Sequence, residues 1–180
     1  MQAFSGRVET MEKYQIQFSG LKPGTHSFDF DLDHSFFNYY RFDEIAGCKV
    51  RVHVEMEKEE RILVFRFDIR GTVDVFCDRC GDPLTVKLKG QQSLVVKLGD
   101  HNEEESDDVQ IVKESESRFD LSQFIYEYAV LMLPAYRVHE DDKEGRSLCN
   151  ADILKKIEEL KESHAPDPHW EVLNKLREEI

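Results

Sequence analysis

Apolar and polar residues alternate over much of residues 14–112, which is the period typical of strands with one buried face. Residues 20–24, Gly-Leu-Lys-Pro-Gly, predict a turn that joins the first two runs. Residues 57–60 are polar and predict a hairpin between the third and fourth runs. Gly71 predicts a bend or bulge, and Gly90 separates two later runs. The predicted strands cover residues 14–18, 28–32, 50–56, 63–69, 73–75, 84–88, 94–98 and 109–112.

After residue 113 the period changes to that of amphipathic helices. Asp120 is placed to cap a helix that Pro134 ends, with Gln123 at the spacing of a capping box. Asn150 predicts the start of a second helix, and Asp167-Pro168 the start of a third. The apolar stripes of the three helices comprise Leu121, Phe124, Ile125, Tyr128, Leu131 and Met132, then Ile153, Leu154, Ile157 and Leu160, then Trp170, Leu173, Leu176 and Ile180.

Strands first and helices last predict an α+β fold: an antiparallel sheet, or a partly closed barrel, with C-terminal helices packed on it. The chain of 180 residues is long enough for one well-packed domain. We predict a single domain over residues 1–180, with residues 1–113 mainly β and residues 114–180 mainly helical. The aromatic residues 36–42 are expected to cover the core. The acidic residues 99–108 are expected to form a solvated loop, since they lack the ligand spacing of a calcium loop.

The chain is acidic, with 24 Lys and Arg against 37 Asp and Glu and a formal net charge of −13. This charge repels phosphate backbones, so we do not expect tight unaided binding to nucleic acid, whereas it suits a basic protein partner. No apolar run reaches the length of a signal peptide or a membrane span. We therefore expect a cytoplasmic protein that makes no membrane contact.

The cysteine pattern points to a metal. A C-x-x-C turn closed by glycine, as at Cys77-Asp78-Arg79-Cys80-Gly81, is a common half of a tetrahedral zinc site. Cys149 lies at the start of the predicted second helix, where the helix dipole favours a thiolate, and is the expected third ligand. His139 lies in the same polar segment and would complete a Cys3His set. We predict a structural zinc ion bound by Cys77, Cys80, His139 and Cys149, which ties the turn to the C-terminal helices.

Other interpretations of these residues stay open. Cys149 could be a small buried apolar side chain, and His139 a surface histidine in a charged loop. The Cys77/Cys80 pair could serve a thiol redox or sensor function, although a strand follows it here, whereas redox motifs of this kind open a helix. Cys48 precedes a predicted strand and is expected to be a buried, inert thiol.

Nothing in the sequence favours catalysis. Three thiolates and one imidazole leave no open position on zinc for an activated water. Phe76 precedes the C-x-x-C, where zinc deaminases have proline. The chain has no P-loop, no G-x-S-x-G elbow and no H-E-x-x-H motif. We expect a protein that is not an enzyme and has no small-molecule substrate.

Basic residues near the C-x-x-C allow direct contact with RNA that is weak at best. Lys87 and Lys89 share one face of a predicted strand, Arg66 and Arg70 share the polar face of another, and Arg79 lies in the turn. A solvated sheet face explains the same residues, and we favour that interpretation.

A series of motifs follows in a fixed order through the second half of the chain. They are Cys77-Asp78-Arg79-Cys80, Phe119-Asp120-Leu121, Leu131-Met132-Leu133-Pro134, Cys149, and Asp167-Pro168-His169-Trp170-Glu171-Val172-Leu173. In this order they resemble the YceD family, the large ribosomal RNA subunit accumulation proteins of bacteria and plastids. Members typically carry a second cysteine cluster after the Leu-Pro, where this chain has His139 and Cys149, and an arginine after the Asp-Pro, where it has His169.

The resemblance implies a role in the accumulation of large-subunit ribosomal RNA, and hence in ribosome assembly, with no catalytic activity. The implied partners are proteins of the ribosome-assembly machinery or large-subunit precursor particles. Histidine in place of a cysteine keeps a ligand type that zinc accepts.

Overall fold

The computed structural model describes residues 11–101, 103–106 and 109–163. The chain forms two compact units. Unit 1 comprises Met1–Val75 and Thr85–Ala135, and unit 2 comprises Phe76–Leu84 and Tyr136–Ile180. The single domain over residues 1–180 stays a prediction. The predicted third helix, which begins at Asp167-Pro168, lies outside the described residues.

The strands are β1 (Gln15–Gln17), β2 (Gly24–Leu32), β3 (Gly47–Lys58), β4 (Ile62–Phe76), β5 (Pro83–Gly99), β6 (Glu103–Ser106), β7 (Val109–Lys113) and β8 (Arg118–Asp120). The helices are α1 (His34–Tyr39), α2 (Ser122–Leu131) and α3 (Ala151–Ser163). Among the described residues, no helix is both long and apolar enough to span a membrane.

Within the described ranges, the main sheet is open and has six strands in the order β2-β3-β4-β5-β7-β6. The pairs β2–β3, β3–β4 and β6–β7 are antiparallel, whereas β5 and β7 are parallel. Strands β1 and β8 pair separately as a small antiparallel sheet. The α+β prediction is therefore confirmed, with a mostly antiparallel sheet that is open and does not close into a barrel.

The predicted β3–β4 hairpin is confirmed, with Lys58 opposite Leu63 next to the polar turn. The alternating apolar residues of both strands face the core and are at most 3% exposed: Val50, Val52, Val54, Met56, Leu63, Phe65, Phe67 and Ile69. Gly71 makes no bulge, since it stays in register opposite Val50. It allows a close approach of the strands, because a Cβ there would stand 2.2 Å from the Lys49 carbonyl oxygen.

Aromatic side chains fill the space between the sheet of unit 1 and its helices. Phe36 and Phe37 of α1 are fully buried, as expected for a segment that covers the core, while Tyr39 at the end of that helix is 43% exposed. Tyr128 of α2 meets Phe67 of β4 with 5.1 Å between ring centroids. Helix α2 thus covers one face of the sheet, as its apolar stripe predicted.

Strands β1 and β2 form as predicted on either side of a turn, while β1 pairs with β8 and β2 pairs with β3. Three other local predictions were wrong. The acidic segment 99–108 contains strand β6, which pairs with β7. Gly90 lies inside β5 and does not divide it. Asp120 accepts a hydrogen bond from the backbone N–H of Ser122 at 2.8 Å, but no side chain caps α2, so the capping box does not form.

Candidate metal centre

The turn between β4 and β5, residues 77–82, is called the knuckle below. The Cys77 N–H donates to the Asp82 carbonyl at 2.9 Å, and the Gly81 N–H donates to the Cys77 carbonyl at 2.8 Å. Gly81 has a φ of +77°, a left-handed conformation that glycine adopts without strain. These bonds fold the knuckle so that the sulfur atoms of Cys77 and Cys80 lie near each other.

The second half of the cluster comes from the segment between residue 136 and α3. An isolated bridge pairs Asp141 with Ser147 and closes a small loop between His139 and Cys149. Asn150 then caps α3, since its side-chain oxygen accepts from the N–H of Asp152 at 3.1 Å and from that of Ile153 at 3.4 Å. The predicted cap is confirmed, and it places Cys149 beside the N-terminus of the helix.

Cys77, Cys80, His139 and Cys149 come together within unit 2, with one potential ligand atom from each and all four atoms within 4.8 Å of one another. The sulfur atoms of Cys77 and Cys149 are 3.7 Å apart, and Cys80 Sγ is 3.5 Å from His139 Nδ1. Zinc–sulfur and zinc–nitrogen bonds of about 2.3 and 2.05 Å at tetrahedral angles place two sulfurs about 3.8 Å apart and sulfur and nitrogen about 3.6 Å apart. These two separations fit tetrahedral zinc. Two ligand atoms that lie as far apart as 4.8 Å would have to move about 1 Å closer to bind the same ion.

The cluster is shielded from solvent. Cys77, Cys80 and Cys149 are 3%, 8% and 6% exposed. Apolar side chains packed against them complete a small core, made of Leu84, Val138, Ile153 and Leu154. Three thiolates and one imidazole fill the four positions of tetrahedral zinc, so such an ion would be closed to further ligands.

One known protein family matches a range of the chain that includes the cluster. The sequence model of one family, described as large ribosomal RNA subunit accumulation protein YceD, matches residues 65–177. The chain belongs to the YceD family. The matched range contains all four cluster residues. No curated protein and no solved structure gives a significant match.

In this YceD chain the electrostatics of the cluster favour a metal-binding thiolate. Burial raises the pKa of the Cys77 thiol, but backbone N–H groups of Cys80, Arg79 and His139 outweigh it and bring that pKa down to about 6. The pKa of His139 is raised, mainly by the hydrogen bond between its ring and the Cys77 thiol. A thiolate is the form of cysteine that binds zinc, so metal binding here would displace protons.

The two ring nitrogens of His139 have different neighbours. Nδ1 faces Cys80 Sγ, whereas Nε2 lies 3.1 Å from the carbonyl oxygen of Pro83. A carbonyl only accepts, so Nε2 carries the proton and Nδ1 presents its lone pair to the cluster when the ring is neutral. A backbone carbonyl that fixes the ring in this way is a common outer partner of a metal-binding histidine.

Two further contacts join the knuckle to the second half of the cluster, and sequence analysis missed them. Asp78 accepts from the Arg137 N–H at 2.6 Å and from Arg137 Nη2 at 3.4 Å, while its own N–H donates to the Arg137 carbonyl at 2.7 Å. Asp82 accepts from Asn150 Nδ2 at 3.1 Å. The signal for both was the placement of charged residues between and beside the cysteines, where they can reach the segment that supplies the other ligands.

Other candidate residues lie in unit 1. Cys48 is half buried, donates to the Leu32 carbonyl at 3.4 Å, and has a pKa raised to about 11 by burial, which suits an inert thiol. His53 and Glu55 have the H-x-E spacing that zinc deaminases combine with a C-x-x-C, but the His53 ring lies 3.0 Å from Asp29 on the face of the sheet.

The basic residues of the sheet face are largely compensated. Arg66 forms ion pairs with Glu55 and Glu57 at 3.3 and 3.2 Å, and Arg70 pairs with Asp68. Lys87 and Lys89 on β5 are exposed. Exposed pairs of this kind contribute little to stability, but they reduce the positive potential that would attract RNA.

Proposed function

We propose that this chain is a non-enzymatic factor for the accumulation of large-subunit ribosomal RNA, and hence for ribosome assembly, with a structural zinc ion. Membership of the YceD family supports the first part. The observation that carries the second is the Cys3His cluster, in which the Cys77–Cys149 and Cys80–His139 separations fit tetrahedral zinc.

Cys77, Cys80, Cys149 and Nδ1 of His139 would hold the ion. Bound zinc supplies charge compensation for the thiolates and a link between the knuckle and the loop that leads into α3. The residues around it shield the ligands from water and fix their orientation, with Pro83 holding the histidine ring.

The proposed partners are proteins of the assembly machinery or precursor particles of the large subunit. The formal net charge of −13 and the ion pairs of Arg66 and Arg70 support contact through proteins more than through RNA.

Complementation combined with gradient sedimentation tests this function. In cells that lack the protein, the ratio of large-subunit to small-subunit ribosomal RNA should fall, and wild-type protein should restore it and sediment with large-subunit precursors. Cys149→Ser should restore little, because it removes one ligand, whereas Cys48→Ser, a change of the same kind outside the cluster, should restore fully. An unchanged RNA ratio in the deletion strain would contradict the proposed function.

One observation favours a second candidate, a thiol redox or sensor function of the Cys77/Cys80 pair. The lowered pKa of Cys77 makes a thiolate available at neutral pH. A redox function predicts a Cys77–Cys80 disulfide that forms and is reduced in the cell, which alkylation of acid-quenched extracts followed by mass spectrometry would detect. A zinc-bound pair stays reduced in the same experiment.

A further inference from the structure

Exposed apolar side chains are concentrated in unit 2. In the described part of the chain, Phe76, Tyr136 and Leu148 of this unit are 53%, 64% and 61% exposed. The described part of unit 2 spans only residues 76–84 and 136–163, so this is a high density for a small unit. Clustered apolar side chains on a surface mark binding sites more often than single ones do.

Arg79 links Tyr136 to Ser147, the residue before Leu148. Arg79 Nη1 donates to Ser147 Oγ at 3.3 Å, next to Leu148 in the chain. Hydrogen bonding with the Tyr136 side chain is the main cause of the raised pKa of the Arg79 guanidinium. The Tyr136 ring is therefore held in place before a partner binds, which lowers the entropy cost of binding. Tyrosine and arginine are also the residue types enriched at energetic centres of protein interfaces.

Carboxylates border this surface. The Leu148 N–H donates to the Glu140 carbonyl at 3.2 Å, and Asp141 bridges Ser147, so residues 140–141 run beside residues 147–148. Among the described residues, Glu140 and Asp141 form no direct ion pair, although Asp141 lies near enough to Arg79 to help raise the pKa of that guanidinium. Arg146, the nearest cation in this loop, is held by Asp142 at 2.8 Å and Glu144 at 2.7 Å.

We propose that Arg79, Tyr136, Leu148, Glu140 and Asp141 form a docking surface for a basic segment of a protein partner. An apolar side chain of the segment would pack against Tyr136 and Leu148, and its lysines or arginines would face the two carboxylates. A nucleic acid fits less well, since its phosphates would meet the same carboxylates. The proposal rests on the proposed function for the source of the partner, namely a basic protein of the large-subunit assembly pathway.

Direct binding measurements test the surface. Individually purified basic proteins of the large ribosomal subunit serve as probes for the full-length, zinc-loaded chain, with dissociation constants measured at two salt concentrations. Wild-type protein should bind at least one of them. Leu148→Ser and Tyr136→Ala should each weaken that binding about tenfold or more, the effect of losing an interface centre. Tyr136→Phe keeps the ring and should have a small effect.

Charge reversal is the second arm. Glu140→Lys combined with Asp141→Lys should weaken binding and reduce its salt dependence. The matched controls are Leu131→Ser, at a 73% exposed leucine of unit 1, and Glu158→Lys on α3, and both should change affinity less than twofold. Zinc content and thermal midpoint must match wild type for every variant.

Three results would overturn the proposal: no basic protein binds, binding is insensitive to Leu148→Ser and Tyr136→Ala, or ribosomal RNA binds this surface in preference to protein. If the deletion strain still shows reduced large-subunit RNA, such a result contradicts the docking surface and leaves the proposed function in place. If that RNA is unchanged, the proposed function fails as well.

Discussion

The contacts of Asp78 predict a measurable effect on zinc affinity. Asp78→Ala removes both bonds from Arg137 to the carboxylate, at 2.6 and 3.4 Å, and leaves the backbone bond between the two residues in place. A hydrogen bond to a charged group contributes about 1.5–3 kcal/mol. The side chains of Asp78 and Arg137 are 31% and 19% exposed, so solvent screening favours the lower end, about 1.5–2 kcal/mol.

That loss corresponds to about 10–30-fold in affinity, because about 1.4 kcal/mol is tenfold. It lies within the 10–100-fold range found for outer partners of metal ligands. The physical reason is that the substituted protein has to order the segment that carries His139 when the metal binds, whereas the wild-type protein holds it beforehand.

Competition for zinc against a chromophoric chelator at fixed pH measures the effect. Asp78→Asn keeps an acceptor for the Arg137 N–H and should lose less affinity than Asp78→Ala. Asp82→Ala removes the single bond from Asn150 and should also lose less. Glu158→Ala, an exposed carboxylate of α3, is the control. If Asp78→Ala binds zinc with an affinity within twofold of wild type, the bonds between Asp78 and Arg137 do not hold the His139 segment in place for the metal.

The fold gives three more predictions, each checked by urea unfolding. Gly71→Ala should lower the free energy of unfolding by about 1–3 kcal/mol or more, because the added Cβ meets the backbone of the neighbouring strand. Gly90→Ala should lower it less, because the added Cβ meets a flexible methionine side chain. Tyr14→Phe should leave stability unchanged or raise it, since in the described part of the chain the buried hydroxyl finds no hydrogen-bond partner, whereas Tyr14→Ala should cost about 3–5 kcal/mol. Asp33→Ala should cost about 1 kcal/mol through the lost cap of α1, and Asp33→Asn much less. A hydrogen bond from the Ser35 hydroxyl lowers the pKa of Asp33 below its ordinary 3.8. The charged cap therefore stabilises the folded protein fully above pH 3.8, and this stabilisation is lost as the pH falls through the lowered pKa. Equal acid sensitivity of wild type and Asp33→Asn would contradict the capping role of Asp33. Equal losses of stability in the two glycine variants would contradict the close approach at Gly71. A large loss of stability in Tyr14→Phe would contradict the unsatisfied hydroxyl of Tyr14.

Local patterns predicted local structure well. The β3–β4 hairpin follows from strict alternation on both sides of a polar turn, and α3 follows from the Asn150 cap. Both depend on residues that are close in sequence, and for these period and capping chemistry are direct signals.

Long-range pairing was beyond the sequence pattern. Nothing near β1 indicates that its partner is β8, because that pairing joins residues 15–17 to residues 118–120. Strand β6 was missed because its carboxylates hide the strand period, and it forms because β7 offers a partner. For Gly71 the sequence predicts a bend or bulge, whereas the structure shows a close approach of two strands. A glycine in a strand indicates either feature, and only the register distinguishes them.

The candidate site was predicted by residue type, whereas its supporting contacts were not. Cysteine and histidine are few in this chain, so their chemistry selected the four cluster residues. Asp78 and Arg137 are two of many charged residues, and only their positions in the fold show that they join the two halves.

The metal content of the purified protein tests the zinc site most directly. We predict one zinc ion per chain in protein purified without added metal, with an X-ray absorption spectrum that shows three sulfur atoms at about 2.3 Å and one nitrogen at about 2.0–2.1 Å, the usual bond lengths. His139→Ala should remove the nitrogen contribution of the ring, and Cys149→Ala should remove one sulfur. Protein without stoichiometric zinc, or zinc with only two sulfur ligands, would contradict a Cys3His zinc site.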